Sequence, residues 1–298
     1  MSHKLLTLNV RGLNSSRKRR QVFRWLHLQR SEIIFLQETY SSTETIKRWE
    51  AKWGGKVVAS HGTTHSKGVM VLFKPNLNVT INKTLADKNG RYILAETSID
   101  ETNIVFVNIY APNDPSQQIL FLRDLSSSVL SAYANANLVL GDDFNCVMNA
   151  MDKKGGRPFD SKNAAVTEFE STIRVHSFVD AWRLVNLHNI GFTWSNPSMK
   201  IQSRLDYFFI PKFLQKLIQE CRIVSNIFSD HSALILTICF DEETAPRGQG
   251  YWRFNNSLLS DNEYVAYYAL KFQNSLKSTK GSKTKVCFGK WSRWRSED

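Results

Sequence analysis

No apolar run in the sequence approaches the roughly 18 residues that cross a bilayer, so no membrane-spanning segment is expected. The first residues, MSHKLLTLNVRG, hold no long apolar stretch and no small-residue cleavage site, so a secretory signal is not expected either. Cysteine is scarce. Cys146, Cys221, Cys239 and Cys287 are far apart, with no C-x-x-C pair and no histidine at zinc spacing. They read as reduced thiols of an intracellular protein rather than as a disulfide framework or a zinc site. Acidic residues are absent from two long stretches: residues 1–31 and 271–295 each hold eight Lys or Arg and no acid. Internal repeats are also lacking, which excludes a solenoid or propeller.

What remains is a chain of 298 residues, 42% hydrophobic, able to bury a sizeable core, with a formal charge of +12. Clustered basic charge, including RKRR at 17–20, points to a polyanionic partner. Nucleic acid fits better than anionic lipid, because neither cluster has a lipidation motif or a transmembrane flank. The plain alternative for the first cluster is a solvated helix face.

Short β-branched runs alternate with helical patterns. The runs at 4–10 and 32–37 read as strands around an amphipathic helix at 16–30, in which Val22, Phe23, Leu26 and Arg30 share a face. Further strands are expected near 56–60, 68–73, 78–83, 91–98 and 103–110, then a helix over 116–133 and a strand at 138–140. So many strands with so few helices predict an α/β fold of two sheets packed face to face and covered by helices. The polar segment DEETAPRGQG near 241–250 reads as a linker that divides a domain over 1–240 from a basic tail over 241–298.

Polar residues stand at the ends of the apolar runs, where ligand sites of α/β folds gather. The clearest is LVLGDDFN, 138–145. In extended chain Asp143 and Asn145 face one way while Asp142 and Phe144 face the other, so one side carries a carboxylate and an amide suited to a metal, a water or a phosphate oxygen; the plain alternative is an Asp/Asn-rich turn that ends the strand. The motifs LNVRGL, LQET, NIYAP, GDDFN, SRLDYFF and SDHSAL, in this order, resemble the endonuclease/exonuclease/phosphatase family. Among its members the chain is most similar to the apurinic-type endonuclease domain of LINE-type non-LTR retrotransposons. DAWRL, GFTWSNP and YWRFNNSLL look like stretches of those polyproteins.

The resemblance implies a four-layer α/β/β/α sandwich and hydrolysis of a DNA phosphodiester with magnesium, or manganese in its place. It implies Glu38 as the main metal ligand, with Asn9 and Asp230 beside it. Tyr110, Asp143, Asn145, Asp206 and His231 would be catalytic, with the choice of Asp143 or His231 as general base left open, as is one metal or two. Asp142 stands where the family usually has glycine. Arg11, Arg17, Lys18, Arg19, Arg20, Thr193 and Lys200 would contact duplex DNA, and residues 196–202 would project toward it. The implied partner is a reverse transcriptase domain, and the implied place of action nuclear DNA. Trp182 and Trp194 read as core, and His61 and His65 as a solvated loop. A repair-type apurinic endonuclease, a lipid phosphodiesterase of the same fold, and a catalytically dead nucleic-acid-binding remnant are the competing readings.

Overall fold

A computed structural model describes residues 2–240, all within one compact unit, Met1–Pro246. The expected linker and basic tail lie outside the described residues. In chain order the elements begin β1 (Ser2–Asn9), α1 (Ser16–Leu28), β2 (Ile33–Gln37), α2 (Thr43–Trp53), β3 (Val57–Ser60) and β4 (Val69–Phe73). They continue β5 (Val79–Ala86), β6 (Tyr92–Ile99), β7 (Thr102–Tyr110), α3 (Pro115–Asp124), β8 (Leu138–Asp143), β9 (Lys153–Lys154) and α4 (Ala164–Val175). The remainder are β10 (Phe178–Asp180), α5 (Ala181–Val185), β11 (Trp194–Ser195), β12 (Gln202–Ser203), β13 (Asp206–Pro211), β14 (Ile218–Val224) and β15 (Ala233–Cys239).

Two six-stranded sheets form, ordered β14-β15-β1-β2-β4-β3 and β10-β13-β8-β7-β6-β5, with a small third sheet β11-β12-β9. Only β1 with β2 and β7 with β8 pair in parallel among these strands; the other pairs are antiparallel. Strand alternation sorts the apolar residues into three layers. Leu5, Phe35, Phe106, Val139 and Phe208 fill the space between the two sheets. Leu6, Leu8, Ile34 and Leu36 face outward under α1 and α2, against Val22, Phe23, Leu26, Trp49 and Trp53. Val107, Leu140 and Phe209 face the other way, under α3 and α4, against Leu122, Phe169 and Ile173. The result is the four-layer α/β/β/α sandwich.

The helix expected over 116–133 is regular only to Asp124, then widens over Leu125–Val129 and tightens over Leu130–Tyr133. The serine run explains the break. Ser127 Oγ donates back to Arg123 O at 2.9 Å and Ser131 Oγ to Ser126 O at 2.7 Å, and such back-bonding bends a helix. Among the described residues no helix is long and apolar enough to cross a membrane.

Candidate active site

Along the strands that face each other, the inward columns change from apolar to polar toward one end. Leu5 gives way to Thr7 and Asn9, Phe35 to Gln37, Phe106 to Asn108 and Tyr110, and Val139 to Gly141 and Asp143. On β13 Asp206 continues the column of Phe208 and Ile210. Burial makes polar groups seek partners, and here they find them across the gap. Gln37 Nε2 donates to Asn108 Oδ1 at 2.7 Å, and Asn108 Nδ2 donates to the carbonyls of Leu36 and Met70. One layer higher, the Asn9 amide donates to Glu38 Oε1 at 2.9 Å and to Asp143 Oδ2 at 2.8 Å.

The chain turns sharply just after these strands. Arg11, Glu38, Tyr40 and Asn145 all have positive φ, between 47° and 56°, an unfavourable conformation for side-chain-bearing residues that clusters at functional sites. Gly12 is required beside them, because a Cβ there would lie 2.7 Å from the Tyr40 ring. The loops support each other: Gly12 N donates to Glu38 O at 2.7 Å and Leu13 N to Thr39 O at 3.1 Å.

A polar cavity of about 470 Å³ opens at this end, lined by Arg11, Glu38, Tyr110, Asn145, Asp230 and His231. His231 Nδ1 bonds Asp206 Oδ2 at 2.8 Å, and its Nε2 lies 3.8 Å from Asp143 Oδ2. Burial disfavours the imidazolium, but the carboxylates of Asp206 and Asp143 outweigh it and raise the His231 pKa. Asp143 is raised too, chiefly by burial, although His231, Asn9 and the Asn145 N–H at 3.0 Å oppose the shift. Burial, then the charges of Glu38 and Asp143, keep the Tyr110 hydroxyl protonated. Arg91 sits 4.9 Å over the Tyr110 ring.

Thr193 is buried, and its Oγ1 accepts from the backbone N–H groups of Leu205 and Asp206, so it fixes the start of β13. Arg19 is buried as well, with Nη1 donating to Leu13 O and Asn14 O. Lys18 Nζ donates to Val10 O and Arg11 O. Thr193, Lys18 and Arg19 thus each bond to the protein's own backbone. Arg17, Arg20 and Lys200 are exposed. Arg11 Nη1 pairs with Asp230 Oδ2 at 2.7 Å.

Several site residues were missed from sequence. Trp194, expected in the core, lines the cavity and its Nε1 donates to Asp230 Oδ2 at 3.1 Å. Tyr40 directly follows LQET, and its hydroxyl donates to Glu38 Oε2 at 2.9 Å. Burial and Glu38 push its pKa up to about 12. His61, expected in a solvated loop, bonds Ser41 Oγ at 2.9 Å. Arg204, two residues before Asp206 and a natural partner for it by sequence, is buried between Asp152 and Asp180 instead, at 2.7 Å from each. That network leaves Asp206 to His231.

Two groups of residues offer ligands to a cation. Glu38 and Asp230 line the same cavity, and Asn9 donates to Glu38. Asp143, Asp206 and His231 bring ligand atoms within 4.8 Å of one another, but there the His231 Nδ1 is already committed to Asp206. Carboxylate oxygens are donors in both groups, which suits a hard divalent ion.

A four-layer sandwich with carboxylates, amides and a carboxylate-held histidine at one end of its paired sheets defines a phosphoester hydrolase of nuclease or phosphatase type. The chain belongs to the Endonuclease/Exonuclease/phosphatase family, whose pattern it matches over residues 6–231. It is 29% identical over 267 residues to the Transposon TX1 uncharacterized 149 kDa protein of Xenopus laevis. That match covers 89% of this chain and 20% of the relative, so the chain spans about a fifth of the relative's length. Its fold is similar to the AP endonuclease LMAP of Leishmania major, with a TM-score of 0.69 and 16% identity over 80% of this chain and 88% of that one. An AP endonuclease from Archaeoglobus fulgidus gives 0.65 and 20%, covering 79% of this chain and 99% of its own. A Neisseria 3′ phosphatase, NExo, bound to a product DNA hairpin gives 0.65 and 18%, covering 80% and 100%.

Proposed function

We propose that the chain is a magnesium-dependent endonuclease, manganese serving as a substitute, that nicks one strand of duplex DNA and leaves a 3′ hydroxyl. The observation that carries this reading is the Asn9 amide, which joins Glu38 of one sheet to Asp143 of the other beside His231. A metal held by Glu38, with Asn9 and Asp230, would neutralise phosphate charge and help the departing oxygen. His231, held cationic between two carboxylates, pairs with a phosphate oxygen. Asp143, whose proton affinity is raised by burial, takes the proton of the attacking water. Asn145 holds a nonbridging oxygen, and the protonated Tyr110 hydroxyl assists the leaving group. Asp206 fixes the His231 ring, and Arg11, Arg17, Arg20 and Lys200 meet phosphates.

The likeness to a transposon protein over most of this chain supports a role inside a longer polyprotein. There the nick would be made in nuclear DNA, and its 3′ hydroxyl would prime a reverse transcriptase domain. The test is nicking of supercoiled plasmid, with intact and abasic duplexes side by side. Glu38→Gln and Asp143→Asn should keep the fold and each lose at least ~100-fold in rate, the scale of losing a catalytic electrostatic or proton-transfer group. EDTA should stop cleavage, and a polymerase should extend the product. Nicking that survives EDTA, or in either folded variant, would sink the mechanism; cleavage confined to abasic sites would assign the chain to repair.

A further inference from the structure

The outward side of α1 carries a cationic surface that extends beyond the site above, whose proposed phosphate contacts include only Arg20 from it. Arg20, Arg24 and His27 recur at i, i+4 and i+7, so they share one helix face. Lys52, in the last turn of α2, faces the same dent, whose volume is about 450 Å³. Leu28, 70% exposed, supplies the apolar surface of the dent, and Phe23, 5% exposed, closes it beneath. The His27 ring is fixed there by stacking on Trp53 at 4.3 Å. No acidic residue lines this dent, and it shares no lining residue with the catalytic cavity. Because α1 starts just after the Arg11 loop and rises about 1.5 Å per residue, its far end lies on the order of 17 Å from its start.

We propose that this groove binds single-stranded nucleic acid, its rim cations holding phosphates and its apolar floor holding the face of a base. Charge complementarity points to a polyanion, since Arg20 and Arg24 of α1 and Lys52 of α2 line the dent and no acid lines it. The floor decides which polyanion. A duplex presents phosphates on a convex surface and keeps its bases stacked inside, so it would leave Leu28 uncovered. A single strand brings phosphates and unstacked bases together, the combination that cationic grooves with apolar or aromatic floors accept.

The test uses the whole chain and labelled 15-nucleotide oligothymidylate, oligouridylate and a duplex of equal length, read by fluorescence anisotropy over a salt series. Arg24→Glu combined with Lys52→Glu should weaken both single strands at least tenfold and flatten the salt slope by about 1.4, roughly 0.7 for each phosphate no longer neutralised. Leu28→Ser should weaken them about threefold with the slope unchanged. Duplex affinity and plasmid nicking should stay at the parent level, and photo-crosslinks from bromouracil strands should map to residues 20–28 or 48–52. Equal single-strand affinity in parent and variants would overturn the proposal, as would a parallel loss of duplex binding. Displacement by oligoglutamate as effective as by oligothymidylate at equal charge would also overturn it, in favour of an acidic protein partner. Since the readout is binding, a failure of the proposed nicking reaction is distinguishable from a failure here.

Discussion

Asp142 and Asp143 are consecutive residues of β8 with opposite surroundings. Asp143 points between the sheets, bonded by Asn9 and the Asn145 N–H. Asp142 falls in the same column as Leu138 and Leu140, which pack beneath α3 and α4, and neither of its oxygens has a hydrogen-bond partner. Burial first, then the charges of Asp143 and Asp206, raise its pKa well above the carboxylate range. Asp142 is therefore held neutral, which is how an unpaired buried carboxyl avoids the cost of a charge. The sign for stability follows: above the ordinary carboxylate pKa of about 4 the unfolded chain has lost this proton while the fold keeps it, so stability falls as pH rises. Asp142→Asn removes that dependence. Its stability relative to the parent should improve with pH by up to about 1.4 kcal/mol per unit, measured by urea unfolding at pH 5, 6 and 7. The buried amide adds its own cost, but a constant one. A pH-independent gap between the two proteins would mean that Asp142 is ionised in the fold. For nicking, Asp142→Gly should stay near the parent rate.

At the scale of elements, the start of α1 and the β11–β12 hairpin make separable predictions. In the RKRR run Lys18 and Arg19 close the loop that follows β1, whereas Arg17 is exposed. Arg17→Gln should weaken duplex binding alike for all sequences and reduce the salt slope by about 0.9, with thermal stability unchanged. Arg19→Gln should leave the slope alone and cost about 1–3 kcal/mol, because the Leu13 and Asn14 carbonyls lose their donor. Reversed results would restore Arg19 to the DNA. The segment after Trp194 is a hairpin, with Trp194 opposite Ser203 and Ser195 opposite Gln202, and β12 also pairs with β9. Gly155 lets the neighbouring loop approach its tip, since a Cβ there would meet Lys200 O at 2.2 Å. Met199 is 58% exposed in that hairpin, so it is free to meet a base step. Replacing residues 196–201 by a Gly/Ser linker should move the nick positions on one long duplex while a small unstructured substrate is cut at nearly the parent rate. An unchanged nick map would assign target choice to another surface.

At the scale of the whole molecule, the polar ends of apolar runs were the legible part, because Asn9, Glu38, Tyr110, Asp143 and Asp206 each follow or interrupt a run too apolar to hold them without reason. Alternation set Asp142 and Asp143 on opposite sides of their strand, as the fold has them. What stayed hidden was set by tertiary contacts. Trp49 and Trp53 of α2 are buried but stand among charged neighbours, the edge strand β14 is only partly buried, and β9, β11 and β12 exist only because they pair. Trp194 could be read only as an aromatic until the fold turned its indole N–H to Asp230. Also invisible was the Gln37–Asn108 tie, which fixes one sheet against the other directly beneath the site. Asn108→Ala removes three buried hydrogen bonds and should cost about 2–4 kcal/mol, since Gln37 Nε2 keeps only Thr7 Oγ1 and the Leu36 and Met70 carbonyls lose the Asn108 donor. The double change Gln37→Leu with Asn108→Leu takes away both amides and should cost less than the two single changes summed, because neither then strands the other. Urea unfolding of the four proteins supplies the cycle. Strict additivity would mean that the sheets are held in register by apolar packing alone, and that the polar column below Asn9 contributes no coupling between them.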